Sequence, residues 1–315
     1  MKLLKQKTHI DFIGKDRYFL ALSVVLVVAS ITFLAIRGLN FGLDFTGGTL
    51  IEVSFPEAAN IEQVRDNLQS VELGDAVVQT FGAANDLVVR VPPRSEDESS
   101  ADISTLVLNA LQQGVEGEVV MRRVEFVGPQ VGDELTEQGI LAVVYALIGI
   151  FLYVMVRFQW RFSVGAVVAT VHDIVITMGV ISLLQVEFDL TVVAAILAVI
   201  GYSLNDTIVV FDRIRENFPR MRKSTPPVVV NSSINQTLSR TLMTSGTTLL
   251  VLVALFIFGG KIIHAFAFTL IVGVVVGTYS SIYVASTTIL RLGVSKFDLM
   301  QVEKEGAGAA IDSQP

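Results

Sequence analysis

Leu190 to Val210 reads Leu-Thr-Val-Val-Ala-Ala-Ile-Leu-Ala-Val-Ile-Gly-Tyr-Ser-Leu-Asn-Asp-Thr-Ile-Val-Val, a run with no lysine or arginine and a single acid, Asp206. As a helix, roughly 20 such residues cross a hydrocarbon core of about 30 Å. Five more runs of comparable character lie at Tyr18–Ile36, Ile140–Val156, Phe162–Leu184, Leu242–Phe258 and Ala265–Leu290. With 52% hydrophobic and 17% charged residues in 315, the composition is that of an integral membrane protein, and two water-soluble domains are excluded. The expected fold is membrane α-helical, with six transmembrane helices.

The net charge of −7 is unevenly placed: residues 38–138 hold 18 Asp or Glu against five Lys or Arg. So acidic a segment repels phosphate, which speaks against a nucleic-acid partner. Positive charge instead flanks the runs. Five Lys or Arg precede Tyr18, two lie in 157–161, six in 211–241 and three from Arg291 onward, whereas the turns 185–189 and 259–264 hold only Lys261. The positive-inside rule then puts both termini, 1–17 and 291–315, and the loop 211–241 in the cytoplasm, and the acidic segment 37–138 outside. Helix 1 is read as 18–36 and helices 2–6 as lying within 139–290. The first run is too long for the core of a secretory signal peptide, and no A-x-A site follows it. With no cysteine, disulfides and thiolate chemistry are excluded.

The external segment has its own periodicities. Gly48–Phe55, Ala76–Phe81, Asp86–Val91 and Glu118–Val127 read as strands, with Gly82 and Asn85 between the middle two. Asn60–Ser70 reads as an amphipathic helix. Ile103, Leu106, Val107, Ala110 and Leu111 mark the inner face of a second helix that Asp102 can cap. The order βαββαβ is that of an α+β ferredoxin-like domain. The tail from Glu303 is expected to be disordered.

Polar residues inside the runs carry the functional signal. Asp206 lies six residues from the middle of its run, about 9 Å at the rise of a helix, so it remains within the hydrocarbon. There it must be neutral, paired or beside water, and ionisable groups at that depth mark ion or proton pathways. Asn205 stands beside it. Thr237, Arg240, Thr241, Thr244, Thr247 and Thr248 recur at three- and four-residue spacings and form a polar stripe at the start of the fifth run. Arg240 is open to two readings, an anchor at the membrane surface or a partner that keeps Asp206 ionised until a proton releases it. His172 and Asp173, at the centre of the third run, are open to a second relay or to a structural pair bonded to neighbouring hydroxyls. Gly273 and Gly277 give the G-x-x-x-G spacing of close helix packing.

No G-x-x-x-x-G-K-[ST], H-E-x-x-H or G-x-S-x-G motif is present, which speaks against a P-loop ATPase, a zinc protease and a serine hydrolase. The chain is expected not to be an enzyme and to need no cofactor or metal beyond a coupling proton. Energy then comes from an ion gradient or from a partner.

Four stretches, Phe41–Leu50 (FGLDFTGGTL), Val127–Leu135 (VGPQVGDEL), Ile200–Asn217 (IGYSLNDTIVVFDRIREN) and Ser239–Ser245 (SRTLMTS), resemble the SecD/SecF family of protein-export membrane proteins, within the resistance-nodulation-division superfamily. The resemblance runs from about Phe12 to Leu292 and its motifs stand in the family's order. It implies six helices that pair with those of a SecD subunit in the bacterial inner membrane, beside the SecYEG channel, its motor SecA and the accessory YajC. There the proton-motive force draws preproteins outward. It also implies that the family's relay aspartate falls on Asp206, within Asn205-Asp206, and its arginine on Arg240. The Asp-Phe-x-Gly-Gly motif falls on Asp44, Phe45, Gly47 and Gly48, at the base of the external domain. Two other functions fit the same residues: half of a proton-coupled small-solute exporter, for which one outer domain of this size is small, and a passive assembly scaffold whose polar positions only hold helices together.

Overall fold

A computed structural model describes residues 8–81, 83–94 and 100–295. Six long apolar helices dominate it: α1 (Asp16–Arg37), α5 (Pro129–Arg157), α6 (Trp160–Leu184), α7 (Leu190–Arg220), α8 (Pro226–Phe258) and a sixth composed of α9 (Gly260–Ser280), a π-helical turn (Ser281–Ala285) and α10 (Ser286–Arg291). Between α1 and α5 the chain forms β1 (Asn40–Phe41), α2 (Leu43–Thr46), β2 (Gly48–Ser54), α3 (Ile61–Ser70), β3 (Val77–Phe81), β4 (Ala83–Val91), α4 (Ser100–Gln112) and β5 (Val120–Val127). A last short strand, β6 (Glu187–Phe188), joins α6 to α7.

The four strands β2 to β5 make an antiparallel sheet in the order β3-β4-β2-β5, the arrangement of the expected βαββαβ unit. Alternation along β2 and β4 turns Ile51, Val53, Leu87, Val89 and Val91 to one face, where Val64 and Leu68 of α3 and Val107 and Leu111 of α4 close a dry core. Asn60 caps α3, its Oδ1 accepting from the amides of Glu62 and Gln63 at 3.0 and 3.4 Å. Helix α4 begins at Ser100, which leaves Asp102 in the first turn, where a carboxylate favours the positive end of the helix dipole. Asn85 lies within β4 and not in the turn, and Gly82 and the tail from Glu303 lie outside the described residues.

In the bundle, α6, α7 and the sixth helix form the buried centre. Phe162, Phe211, Ile214, Ile234 and Ile289 fill one end of it and Ile181, Val192, Ile196 and Ile200 the other. Around this centre α1, α5 and α8 turn apolar side chains such as Val25, Val156, Leu250 and Phe258 outward, as a hydrocarbon solvent permits. The stretch 211–241, expected as a loop, is helical except for the short turn at 221–225. The apolar window ends near Val210 because polar residues set in, yet Phe211, Ile214 and Phe218 of α7 and Val229, Val230 and Ile234 of α8 keep an inward stripe and continue both helices. Residues 10–13 lie along that extension of α8. Asn235 Oδ1 accepts from the amide of Ile10 at 2.9 Å, and Asn231 Oδ1 accepts from that of Phe12 at 2.8 Å.

The expected G-x-x-x-G contact is a packing contact. A Cβ at Gly273 would overlap Val199 of α7, and one at Gly277 would press on Ser203. Gly273→Leu should therefore force α9 off α7, costing about 1–3 kcal/mol, the usual penalty for overpacking. Thermal unfolding in detergent checks this, and an unchanged midpoint would contradict the packing described.

Candidate functional site

Asp206 is 1% exposed, on the face of α7 that meets α8 and α9. Its Oδ2 accepts from Ser245 Oγ of α8 at 3.3 Å, and Ser245 Oγ lies 2.7 Å from Thr278 Oγ1 of α9, whose hydroxyl also donates to the carbonyl of Val274 at 2.7 Å. A carboxyl group and two hydroxyls thus connect three helices. The stripe expected on α8 divides. Thr237, Thr241 and Ser245 are buried at four-residue spacing, while Arg240, Thr244 and Thr247 face outward, the two threonines bonding carbonyls of their own helix.

The expected Asp206–Arg240 pair is not formed. Among the described residues no ion pair within 4.0 Å joins them, and the arginine stands on an exposed face of this chain. Consecutive helical residues point about 100° apart, so with Thr241 turned inward Arg240 must turn away. Asn205 is exposed for the same reason, beside a buried Asp206. Ser245 was not among the expected site residues, although its place four residues after Thr241 is a usable signal.

Asp173 is the more heavily bonded acid. Fully buried at the centre of α6, it accepts from Ser203 Oγ of α7 at 2.5 Å and from Ser280 Oγ of α9 at 2.7 Å, and its other oxygen lies 2.9 Å from His172 Nδ1. The imidazole lies over the ring of Tyr279, with centroids 6.2 Å apart, and its buried Nε2 has no hydrogen-bond partner among the described residues. Tyr279 in turn donates its hydroxyl to the carbonyl of Phe19 at 2.6 Å, tying α9 to α1. The π-helical turn begins directly after Ser280, and such turns recur where function perturbs a helix. Ser203 and Asp206 stand three residues apart on α7, and Thr278 and Ser280 two apart on α9, so the two acids share both helices.

At the far end of α7 the Asp44-Phe45-x-Gly47-Gly48 motif forms a joint. Asp44 Oδ2 accepts from the amide of Leu190 at 2.9 Å, and Asp189 Oδ1 accepts from that of Val192 at 2.8 Å. Two carboxylates therefore satisfy the open amides that begin α7. Phe45 packs among the rings of Phe41 and Phe188. Gly47 and Gly48 take φ of +66° and +110°, and a Cβ on Gly48 would overlap the carbonyl of Val91, so a side chain there would push β2 off β4.

The residues 107–295 match the model of a family described as "Protein export membrane protein SecD/SecF, C-terminal", and 32–55 match the "SecD/SecF GG Motif". The chain is 55% identical to protein translocase subunit SecF of Vibrio alginolyticus over 314 residues, covering 100% of this chain and 99% of that one. With the subunit of the same description from Escherichia coli O157:H7 the identity is 45%, over 94% of this chain and 93% of the relative. A crystal structure of SecDF from Thermus thermophilus, titled a translocon-associated membrane protein, superposes with a TM-score of 0.81 at 38% identity, covering 93% of this chain and 39% of that one. A SecDF structure in a "super-membrane-facing form" matches over the same shares with a TM-score of 0.67.

Removing the carboxylate of Asp173 leaves the hydroxyl of Ser203 and the Nδ1 of His172 unmatched in the buried interior, at about 1–3 kcal/mol for each group that finds no replacement, while Ser280 keeps the carbonyl of Gly277 at 3.2 Å. Asp173→Ala should accordingly lower the thermal midpoint of the purified chain by more than Ser203→Ala does. Equal midpoints would mean that Asp173 does not hold the three helices.

Proposed function

This chain belongs to the SecD/SecF family of protein-export membrane proteins, and we propose that it is the subunit in which the proton-motive force is converted into helix movement during preprotein export. The observation that carries the proposal is the burial of Asp206 among hydroxyls of α8 and α9, with Arg240 on the adjoining face of α8. Burial with no cation within ion-pair distance suits a carboxylic acid, and an arginine-paired arrangement suits a carboxylate. Turning α8 by roughly the angle between neighbouring helical residues would exchange Thr241 and Ser245 for Arg240 at Asp206. Proton uptake and release at Asp206 would then favour opposite orientations of α8, with exposed Asn205 and Arg240 facing the partner subunit. Asp173 and His172, in contact at 2.9 Å, serve as a second relay pair.

The remaining assignments follow the family and the charge pattern. Lys and Arg placement puts both termini in the cytoplasm and the acidic sheet domain outside the bacterial inner membrane. The chain spans 39% of the SecDF structure it matches, which leaves room there for a SecD half, and we assign SecD as its partner in the membrane. SecYEG, SecA and YajC complete the machinery, with the preprotein as cargo. A charge moved through the membrane potential is worth about 2.3 kcal/mol per 100 mV, enough to tip two orientations separated by a few kcal/mol.

Asp206→Asn keeps shape and hydrogen bonding and removes the titration. In inverted membrane vesicles it should abolish the stimulation of export by a proton gradient while leaving assembly with the partner intact, and Asp206→Glu should restore part of it. Undiminished gradient-driven export in the asparagine variant would refute the relay. Loss of assembly in place of the proton response would favour a scaffold.

A further inference from the structure

The return between α6 and α7 is a second point at which the sheet domain grips the relay helix. β6 pairs in parallel with β1, and the amide of Gly42 donates to the carbonyl of Phe188 at 2.8 Å. Arg90, projecting from β4 of the sheet domain, donates from Nη1 to the carbonyl of Phe41 at 2.8 Å and forms an ion pair through Nη2 with Glu187 of β6. One guanidinium therefore bridges the sheet domain, the strand after α1 and the strand before α7.

Around Glu187 the charged groups are Arg90 from β4, Asp44 from α2 and Asp189 on its own return. Asp44 and Asp189 each accept a backbone amide at the start of α7. Glu187 accepts no such amide. Three carboxylates face one cation, and Glu187 is the one in direct contact with it.

We propose that Glu187 and Arg90 form a proton-operated latch: with Glu187 ionised the sheet domain is tied to the start of α7, and with Glu187 protonated the domain is held there only through β1–β6 and Asp44. The physiological meaning rests on the proposed function, which puts this end of the bundle on the proton-rich side; the latch itself does not depend on Asp206. Burial raises the affinity of Glu187 for a proton above that of an ordinary glutamate, Asp189 and Asp44 add to the effect, and Arg90 opposes it. The sign follows. Relative to the unfolded chain, the raised affinity makes the contribution of Glu187 to stability greatest at low pH and lost as pH rises. Between tied and released domains the difference is Arg90, which alone lowers the proton affinity of Glu187; a released Glu187 that stays on its return beside Asp44 and Asp189 binds the proton more readily than the tied one, so protonation favours release. The ion pair exists only above that pKa, and it lets go at a higher pH than an exposed glutamate would.

The cysteine-free chain allows a direct test. Cysteines replacing Gln79 on β3 and Leu184 at the end of α6 carry spin labels, and the full-length chain is reconstituted with its partner subunit in nanodiscs. Distances are read from about pH 8 down to about pH 4, which spans an ordinary glutamate titration and the range above it. The expected result is one narrow distance at high pH and a second, broader population at low pH. Glu187→Gln and Arg90→Gln should each give the low-pH distribution throughout, the double variant should match either single one, and Glu187→Asp should keep a titration with a displaced midpoint. A pH-independent distribution in the unmodified chain, or the high-pH distribution retained by Glu187→Gln, overturns the latch. Because no export is measured, that failure leaves the role of Asp206 standing, and an inert Asp206 leaves these distances unchanged.

Discussion

A carboxyl group taken into hydrocarbon must be neutralised or surrounded by donors, and the centre of this bundle is organised by meeting that demand twice. Asp173 meets it with two hydroxyls and an imidazole, Asp206 with one hydroxyl backed by another. The hydroxyls come from α7, α8 and α9, so each acid keeps them only while those helices keep their register. Protonation changes how many donors an acid can use and whether it wants a cation nearby. A change of charge at either acid is thereby a change in the preferred packing of helices, which is how a small chemical event becomes movement in a close-packed interior.

The same helix reaches the sheet domain. Asp206 lies sixteen residues from Leu190, a separation of about 24 Å along a helix. At Leu190 the amides opening α7 are held by Asp44 and Asp189, and beside them β1 and β6 pair and Arg90 meets Glu187. Contacts at the N-terminal end of α7 are thus made to the sheet domain, while contacts near its middle are made to the acids.

Much of the architecture was legible in the sequence because its signals are local. The six apolar runs and the alternation and helical spacings of the sheet domain each lie within one window, and the helices and strands stand where they imply. The helical extensions of α7 and α8 were missed because hydropathy averages over polar residues that still carry an inward stripe. β1 and β6, of two residues each, have no periodicity to read. Depth singled out Asp206 and Asp173, but depth does not set the phase of a helix. The spacing on α8 therefore leaves the direction of Arg240 open, and the structure turns Thr241 and Ser245 inward. Asp173 drew less attention than its bonding warrants because Ser203 and Ser280 lie 30 and 107 residues away in the chain.

The central claim is that Asp206 exchanges a proton inside the membrane and that the exchange alters its partners. Infrared difference spectroscopy on the reconstituted complex, taken across a pH titration, observes this directly. The account predicts a protonated-carboxyl band that disappears in Asp206→Asn, titrates in the unmodified chain, and shifts when Ser245→Ala removes the hydroxyl bonded to it. A spectrum identical with and without the Asp206 carboxyl at every pH would contradict it.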